Sequence, residues 1–149
     1  MSDMLLQDAQ RASQEGRLAD ATRLYHEFLS ANPGHVPALY ALGMIYFQGS
    51  QFDQAEYLFG EAGRFDPSFA DGPVMRGVTL VKLSRPEEAL ASFEQALRIK
   101  PDSIEALSNH ATTLLELGRV RDGLEGLDRV LALDSGHALS WNNRGNALF

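Results

Sequence analysis

Residues 39–67 read "LYALGMIYFQGSQFDQAEYLFGEAGRFDP" and contain two amphipathic helical patterns separated by a break. In the first half, small and apolar residues recur at the i, i+3, i+4, i+7 spacing of one helix face: Leu39, Leu42, Gly43 and Tyr46. In the second half, they recur at i, i+4, i+7: Ala55, Phe59 and Ala62. Gly49 and Ser50 break the pattern between them, and Pro67 ends the second run because the residue before a proline is disfavoured in the α conformation. The stretch therefore predicts a pair of antiparallel helices.

The same pattern returns at one constant interval along the whole chain. Three prolines define this interval: Pro33, Pro67 and Pro101. The small residues of the break keep it: Gly16, Ser50, Ser84 and Gly118. A large apolar column follows it too: Tyr25, Phe59, Phe93 and Leu127. Independent columns at one period indicate stacked structural repeats in which each unit covers the apolar face of its neighbour.

These residues resemble the tetratricopeptide repeat family, whose pattern is W-x2-L-G-x2-Y, then A-x3-F, then P. Residues 39–46, "LYALGMIY", followed by "AEYLF" and Pro67, carry it nearly whole. The resemblance implies an all-α, right-handed α-solenoid of antiparallel helix pairs, as a single domain. Its predicted repeats are residues 2–35, 36–69, 70–103 and 104–137, with a partial fifth repeat at 138–149. Gly123 and Gly126 lie inside a predicted helix, which we expect to be the weakest internal one.

Composition excludes several classes of function. The 149 residues carry a net charge of -7 with only two lysines, which disfavours nucleic acid as a partner. There is no cysteine, no apolar run long enough to span a membrane, and no signal-peptide pattern, so we expect a cytoplasmic protein. The four histidines lack metal-ligand spacing, and we expect no metal, cofactor or catalysis within these residues.

Binding is the function that remains, and in such a solenoid the first helices line the concave groove. Helical spacing predicts the following partner-binding residues on these helices: Tyr40, Met44, Phe47, Val74, Val78, Val81, Lys82, Asn109, Thr112, Leu115 and Asn143. The alternative is that these side chains pack helix against helix. A large apolar patch in a concave surface favours a protein or peptide partner for Tyr40, Met44 and Phe47. We expect Tyr40→Ala or Phe47→Ala to weaken partner capture with little effect on melting.

Two comparisons with relatives of known binding mode refine this prediction. The Lys, Arg and Asn clamp with which chaperone-binding members hold a C-terminal carboxylate is absent. By contrast, "LSNHATTL" and "WNNRGNAL" are similar to repeats of O-linked N-acetylglucosamine transferase, whose asparagine ladder binds a peptide backbone. The resemblance places Asn109 and Asn143, one repeat interval apart, on that ladder. An asparagine amide donates and accepts at once, so it can bind a peptide unit of any sequence. Exposed or inter-repeat asparagines are the alternative.

The last residues, "ALSWNNRGNALF", match the first helix of a repeat without its partner helix. Trp141, Gly145 and Leu148 form a stripe at i, i+4, i+7, which suggests that the chain is the N-terminal part of a longer protein and that the stripe drives self-association. Three functions stay open: an interaction scaffold that binds a partner in its groove, the recruitment arm of a larger bacterial glycosyltransferase or sulfotransferase, and self-assembly through the repeat ends.

Overall fold

A computed structural model describes residues 2–149, and within that range the chain forms nine α-helices and no strand. The helices are α1 (Ser2–Gln14), α2 (Leu18–Ala31), α3 (Val36–Gln48), α4 (Phe52–Phe65), α5 (Asp71–Lys82), α6 (Pro86–Ile99), α7 (Ile104–Glu116), α8 (Val120–Leu133) and α9 (Ala138–Leu148). The prediction of an all-helical chain of paired helices is confirmed. The chain divides into two compact units, one ending at Gly72 and the other comprising Pro73–Phe149.

Each hairpin turns at one residue in the left-handed backbone conformation. These residues are the break column of the sequence, and their φ angles are 74° at Gly16, 59° at Ser50, 57° at Ser84 and 78° at Gly118. In the first hairpin the N–H of Arg17 donates to the carbonyl of Ala12 at 2.9 Å, which satisfies a carbonyl left open at the end of α1. The periodic column of small residues therefore reflects the backbone geometry that reverses the chain.

Side-chain caps start three of the first helices. The Nδ1 atoms of His35 and His137 and the Oγ of Ser103 occupy one column of the repeat, and they accept from backbone N–H groups at 3.2, 3.3 and 3.2 Å. Each cap satisfies one of the amides that the first turn of a helix leaves without a partner. The proline that was predicted to end the second helix of each repeat is not required. Helix α8 ends at Leu133 although Ser135 occupies the proline position of its repeat.

In the first unit, α1 packs on α2 and α3 on α4 around a core of alanine, leucine and aromatic side chains. The pairing of α3 with α4 depends on unequal residue sizes. A Cβ added at Gly43 would lie 2.7 Å from the ring of Phe59, which is fully buried. The missing side chain of Gly43 is thus what lets the Phe59 ring lie between the helices.

The second unit repeats this arrangement with one reversal. In α5 and α6, a Cβ at Gly77 would lie 2.5 Å from the fully buried ring of Phe93. In the next hairpin the glycines are on the second helix: a Cβ at Gly123 would lie 2.6 Å from the Leu115 side chain, and one at Gly126 would lie 2.8 Å from the Cβ of Ala111. Gly123 and Gly126 therefore allow α8 to approach α7, whatever they cost in helix propensity.

No helix within residues 2–149 combines the length and the apolar character that a membrane span requires.

Candidate functional site

Two adjoining recesses on the second unit contain most of the predicted groove residues. The first, of about 250 Å3, lies between α5 and α7, and its lining is Val78, Val81, Lys82, Asn109, Thr112, Thr113 and Glu116. The second, of about 310 Å3, lies between α7 and α9, and its lining is Thr112, Leu115, Glu116, Asn143, Asn146 and Ala147. The two recesses share Thr112 and Glu116. We call this continuous surface the α5–α7–α9 groove, and it brings together seven of the eleven residues that the sequence predicted.

Hydrogen bonds hold the two asparagine amides of the groove in place. The Nδ2 of Asn109 donates to the carbonyl of Glu105 at 2.9 Å, and the Nδ2 of Asn143 donates to the Oγ1 of Thr112 at 3.0 Å. Within the described chain, neither amide oxygen accepts a hydrogen bond. Both oxygens are thus available to accept from a peptide N–H, in amides whose orientation is already fixed.

Charge and apolar surface are distributed unevenly along the α5–α7–α9 groove. Lys82 on α5 and Glu116 on α7 line the same recess. The side chains of Val78, Val81 and Leu115 supply the apolar surface beside them. The groove therefore offers apolar, charged and amide groups on one surface.

The three groove residues predicted in the first unit are half-buried, and two of them pack on aromatic rings of the same unit. The ring of Tyr40 lies 5.6 Å from that of Phe59 and 5.4 Å from that of Phe69, measured between centroids, and the rings of Phe47 and Phe52 are 5.4 Å apart. Met44 is also half-buried. Because the ring of Tyr40 supports the hairpin core, Tyr40→Ala should lower the melting temperature, contrary to the expectation from sequence.

The placement of Val74 in the groove is wrong. Val74 is only 2% exposed and packs in a core cluster with Ala96 and Ala106. Its spacing of four residues from Val78 suggested the same helix face, but at the first turns of α5 that face meets neighbouring helices instead of solvent. Val74 therefore contributes to stability and cannot contact a partner in this conformation.

A larger recess, which sequence reasoning missed, lies in the first unit. This α2–α4 cleft has a volume of about 560 Å3, and its lining residues are His26, Leu29, Pro33, Leu39, Leu42, Tyr46, Asp53, Gln54, Tyr57, Leu58, Glu61, Arg64 and Phe65. A signal was available in the sequence. Tyr57 is 64% exposed, whereas the equivalent positions of the preceding and following repeats are Arg23 and Ala91, so its aromatic ring is not a requirement of the repeat.

The histidines have structural partners and do not form a reactive site. His35 and His137 cap helices, as described above, while the Nε2 of His26 lies 2.7 Å from the Tyr46 hydroxyl and that of His110 lies 3.3 Å from a Glu94 carboxylate oxygen. Among residues 2–149 no three histidine or carboxylate side chains are grouped so as to hold a metal ion.

The predicted self-association stripe on α9 is largely exposed. Trp141 is 53% and Leu148 is 55% exposed, and a Cβ added at Gly145 would meet nothing within 4 Å. The indole N–H of Trp141 donates to the carbonyl of Ser135 at 2.8 Å, which holds the ring against the preceding turn.

Comparison with known proteins identifies the architecture. The tetratricopeptide repeat family model matches residues 12–71 and 80–142, which together are most of the chain. The chain belongs to the tetratricopeptide repeat family. The close packing of Gly43 on Phe59 and of Gly77 on Phe93 is thus the contact between the glycine and the phenylalanine of the tetratricopeptide motif.

Three relatives show how far this likeness extends. The TPR repeat-containing protein YpiA of Bacillus subtilis is 30% identical over 135 residues, covering 89% of this chain and 31% of that protein. A DnaJ homolog subfamily C member 7 homolog of Schizosaccharomyces pombe is 27% identical, with 85% and 30% coverage. The chain thus spans under a third of either relative. The crystal structure of YrrB, a TPR protein with an unusual peptide-binding site, has a TM-score of 0.84 at 26% identity, and the match covers 96% of this chain and 74% of the YrrB chain.

Proposed function

We propose that this chain is a protein-interaction module that binds an extended peptide segment of a partner protein in the α5–α7–α9 groove. The observation that supports it is the convergence of seven predicted residues on two recesses that share Thr112 and Glu116. The relationship to the structure of a peptide-binding tetratricopeptide protein is consistent with this assignment.

Peptide binding follows from the chemistry of the groove. The oriented oxygens of Asn109 and Asn143 accept from backbone N–H groups of the ligand, so they contribute affinity that is independent of its sequence. Val78 and Val81 bind an apolar side chain, and Lys82 favours an acidic one nearby. A groove of this kind serves an independent scaffold and the recruitment arm of a larger transferase equally well.

Selection of random peptides on phage against the immobilised chain should yield peptides that depend on this groove. We expect Asn109→Ala and Lys82→Glu each to weaken the binding of selected peptides about tenfold, the equivalent of roughly 1.4 kcal/mol. Isothermal titration calorimetry with the synthetic peptides measures the change. Neither side chain is buried, so thermal unfolding should stay nearly unchanged.

Gln95→Ala is the matched control, because Gln95 lines a separate recess on α6. The peptides should bind this variant as they bind the unmodified chain. Selected peptides that bind Asn109→Ala, Lys82→Glu and Gln95→Ala with equal affinity would rule out the α5–α7–α9 groove as the binding site.

Self-association is the second candidate function, and the exposed stripe on α9 favours it. We expect sedimentation velocity to show a concentration-dependent increase in mass that Trp141→Ala and Leu148→Ala reduce, because both substitutions remove apolar surface from the contact. Val120→Ala, at another exposed apolar position on α8, is the control and should leave the association unchanged. A monomer at every concentration tested would contradict this function.

A further inference from the structure

The α2–α4 cleft has the dimensions of a receptor for a short helix. One face of α4 lines it from Asp53 through Tyr57 and Glu61 to Phe65, at a regular spacing of four residues. Twelve residues of helix rise about 18 Å, or more than three turns. Leu29 of α2 lies on the opposite wall. A groove of this length between two helices suits an amphipathic helix that inserts apolar side chains at i, i+4 and i+7.

Two aromatic side chains of α4, Tyr57 and Phe65, line the cleft, and the ring of Phe65 is held in place. Phe65 packs on Gly34, where an added Cβ would lie 2.8 Å from its ring, and the guanidinium of Arg64 lies 4.3 Å from the ring centroid. Tyr57 instead projects from the middle of the same helix face with nearly two thirds of its surface exposed. Tyrosine is one of the residue types enriched among those that contribute most to binding at interfaces.

The start of α4, whose residues Asp53 and Gln54 line the cleft, differs from the start of the second helix in the other hairpins. At the start of α2, α6 and α8 an arginine forms an ion pair with a carboxylate three residues later: Arg17 with Asp20, Arg85 with Glu88 and Arg119 with Asp122. In α4 both positions are glutamines, Gln51 and Gln54. Two neutral side chains thus replace an ion pair here, Gln54 lines the cleft in place of a paired carboxylate, and the neighbouring carboxylate of Asp53 is exposed.

Charge is strongly asymmetric between the two units. Through Gly72 the chain has ten Asp and Glu residues against four Arg and no Lys, a net charge of -6, while the remaining residues contribute ten acidic and nine basic side chains. Within the cleft, hydrogen bonds from Arg64 lower the pKa of Glu61, so its carboxylate remains ionised. Because Arg64 neutralises Glu61 in this ion pair, the carboxylate of Asp53 leaves the cleft lining with a net charge of -1, on a unit whose net charge is -6, and this negative charge attracts a cationic partner.

We propose that the α2–α4 cleft docks a basic amphipathic helix of a partner protein, with apolar side chains against Leu29, Tyr57 and Phe65 and a lysine or arginine side chain at Asp53. The occupant follows from the length of the groove, its aromatic walls and the sign of its charge. This site lies on the first unit and is separate from the α5–α7–α9 groove, so the protein presents two binding surfaces for two kinds of segment.

Fluorescence anisotropy with two synthetic 14-residue peptides tests the proposal on the whole chain. One peptide has leucines at i, i+4, i+7 and i+11 and lysines elsewhere, and the other has glutamate in place of every lysine. We expect the lysine peptide to bind at least about tenfold more tightly than the glutamate peptide, and its dissociation constant to rise with salt as screening weakens the charge attraction. Equal binding of the two peptides would overturn the proposal.

Three variants locate the bound peptide. Tyr57→Ala should weaken the lysine peptide about tenfold, and it should fold normally because Ala91 occupies the equivalent position of α6. Leu133→Ala, an exposed apolar position of α8 equivalent to Phe65, is the matched control and should bind normally. Asn109→Ala should also bind normally, since it alters only the α5–α7–α9 groove. Equal losses for Tyr57→Ala and Leu133→Ala, or a loss for Asn109→Ala, would show that the helix does not dock in the cleft.

Discussion

Replacing Phe59 by alanine is expected to lower the free energy of unfolding by about 3–5 kcal/mol, the range for removing a buried phenylalanine side chain. Phe59 is fully buried, its ring fills the space beside Gly43, and it contacts the ring of Tyr40. Because Gly43 has no side chain that could move into the cavity, the hairpin of α3 and α4 cannot collapse around it. Urea unfolding followed by circular dichroism measures the loss.

Tyr57→Ala is the matched control for Phe59→Ala, since Tyr57 lies two residues earlier on the same helix and faces solvent. Its removal should change the free energy of unfolding by less than about 0.5 kcal/mol, as is usual for surface substitutions. Similar losses for the two variants would mean that Phe59 is not the core residue of this hairpin.

Gly77→Ala is expected to destabilise the protein by about 1–3 kcal/mol, although alanine is the better helix former. The new Cβ would lie 2.5 Å from Cε1, 2.7 Å from Cδ1 and 2.8 Å from Cζ of Phe93. That ring is rigid and fully buried, so α5 and α6 must move apart to accommodate the methyl group. The cost of overpacking exceeds the gain in propensity, and thermal unfolding should show a lower midpoint.

Gly145→Ala, at the equivalent position of α9 two repeats further along the chain, is not expected to destabilise the protein. A Cβ there meets nothing within 4 Å, so only helix propensity changes, and the variant should be neutral or stabilised by up to about 1 kcal/mol. Phe93→Leu added to Gly77→Ala should recover part of the loss, since Ala111 and Leu127 occupy these two positions in α7 and α8. Equal effects of Gly77→Ala and Gly145→Ala on the free energy of unfolding would show that helix propensity determines the effect of these substitutions and that packing does not.

Most of the fold could be predicted from the sequence because the residues that define the repeat act within one helix or between adjacent helices. A glycine or serine once in every repeat marks a left-handed backbone, and the pairing of Gly43 with Phe59 marks a close approach of two helices. Such requirements act between neighbouring helices, so they appear as a regular spacing. The α5–α7–α9 groove was predicted on the same basis, from residues such as Val78 and Asn109 on the first helices of their repeats.

The misplaced and missed residues have a different origin. Val74 has the spacing of a groove residue, but contact with Ala96 and Ala106 buries it, and helix periodicity does not indicate which end of a face is covered. Two lining residues of the α2–α4 cleft, Tyr57 and Gln54, depart from the repeat, and an analysis of recurring positions does not detect such departures. The sequence indicates only the helix-propensity cost of Gly123, whereas the space it leaves for the Leu115 side chain of α7 is a contact between two helices.

The amino-acid sequence by itself determined the helical class and the pairing of the helices, because hydrophobic spacing and chain reversal are properties of residues close together in the chain. Only the tertiary structure decided which exposed faces are recesses. A recess exists where side chains from two or three separate helices fail to fill the space between them. Whether they fill it depends on the sizes and directions of side chains on all of these helices together, which the pattern of one helix does not give.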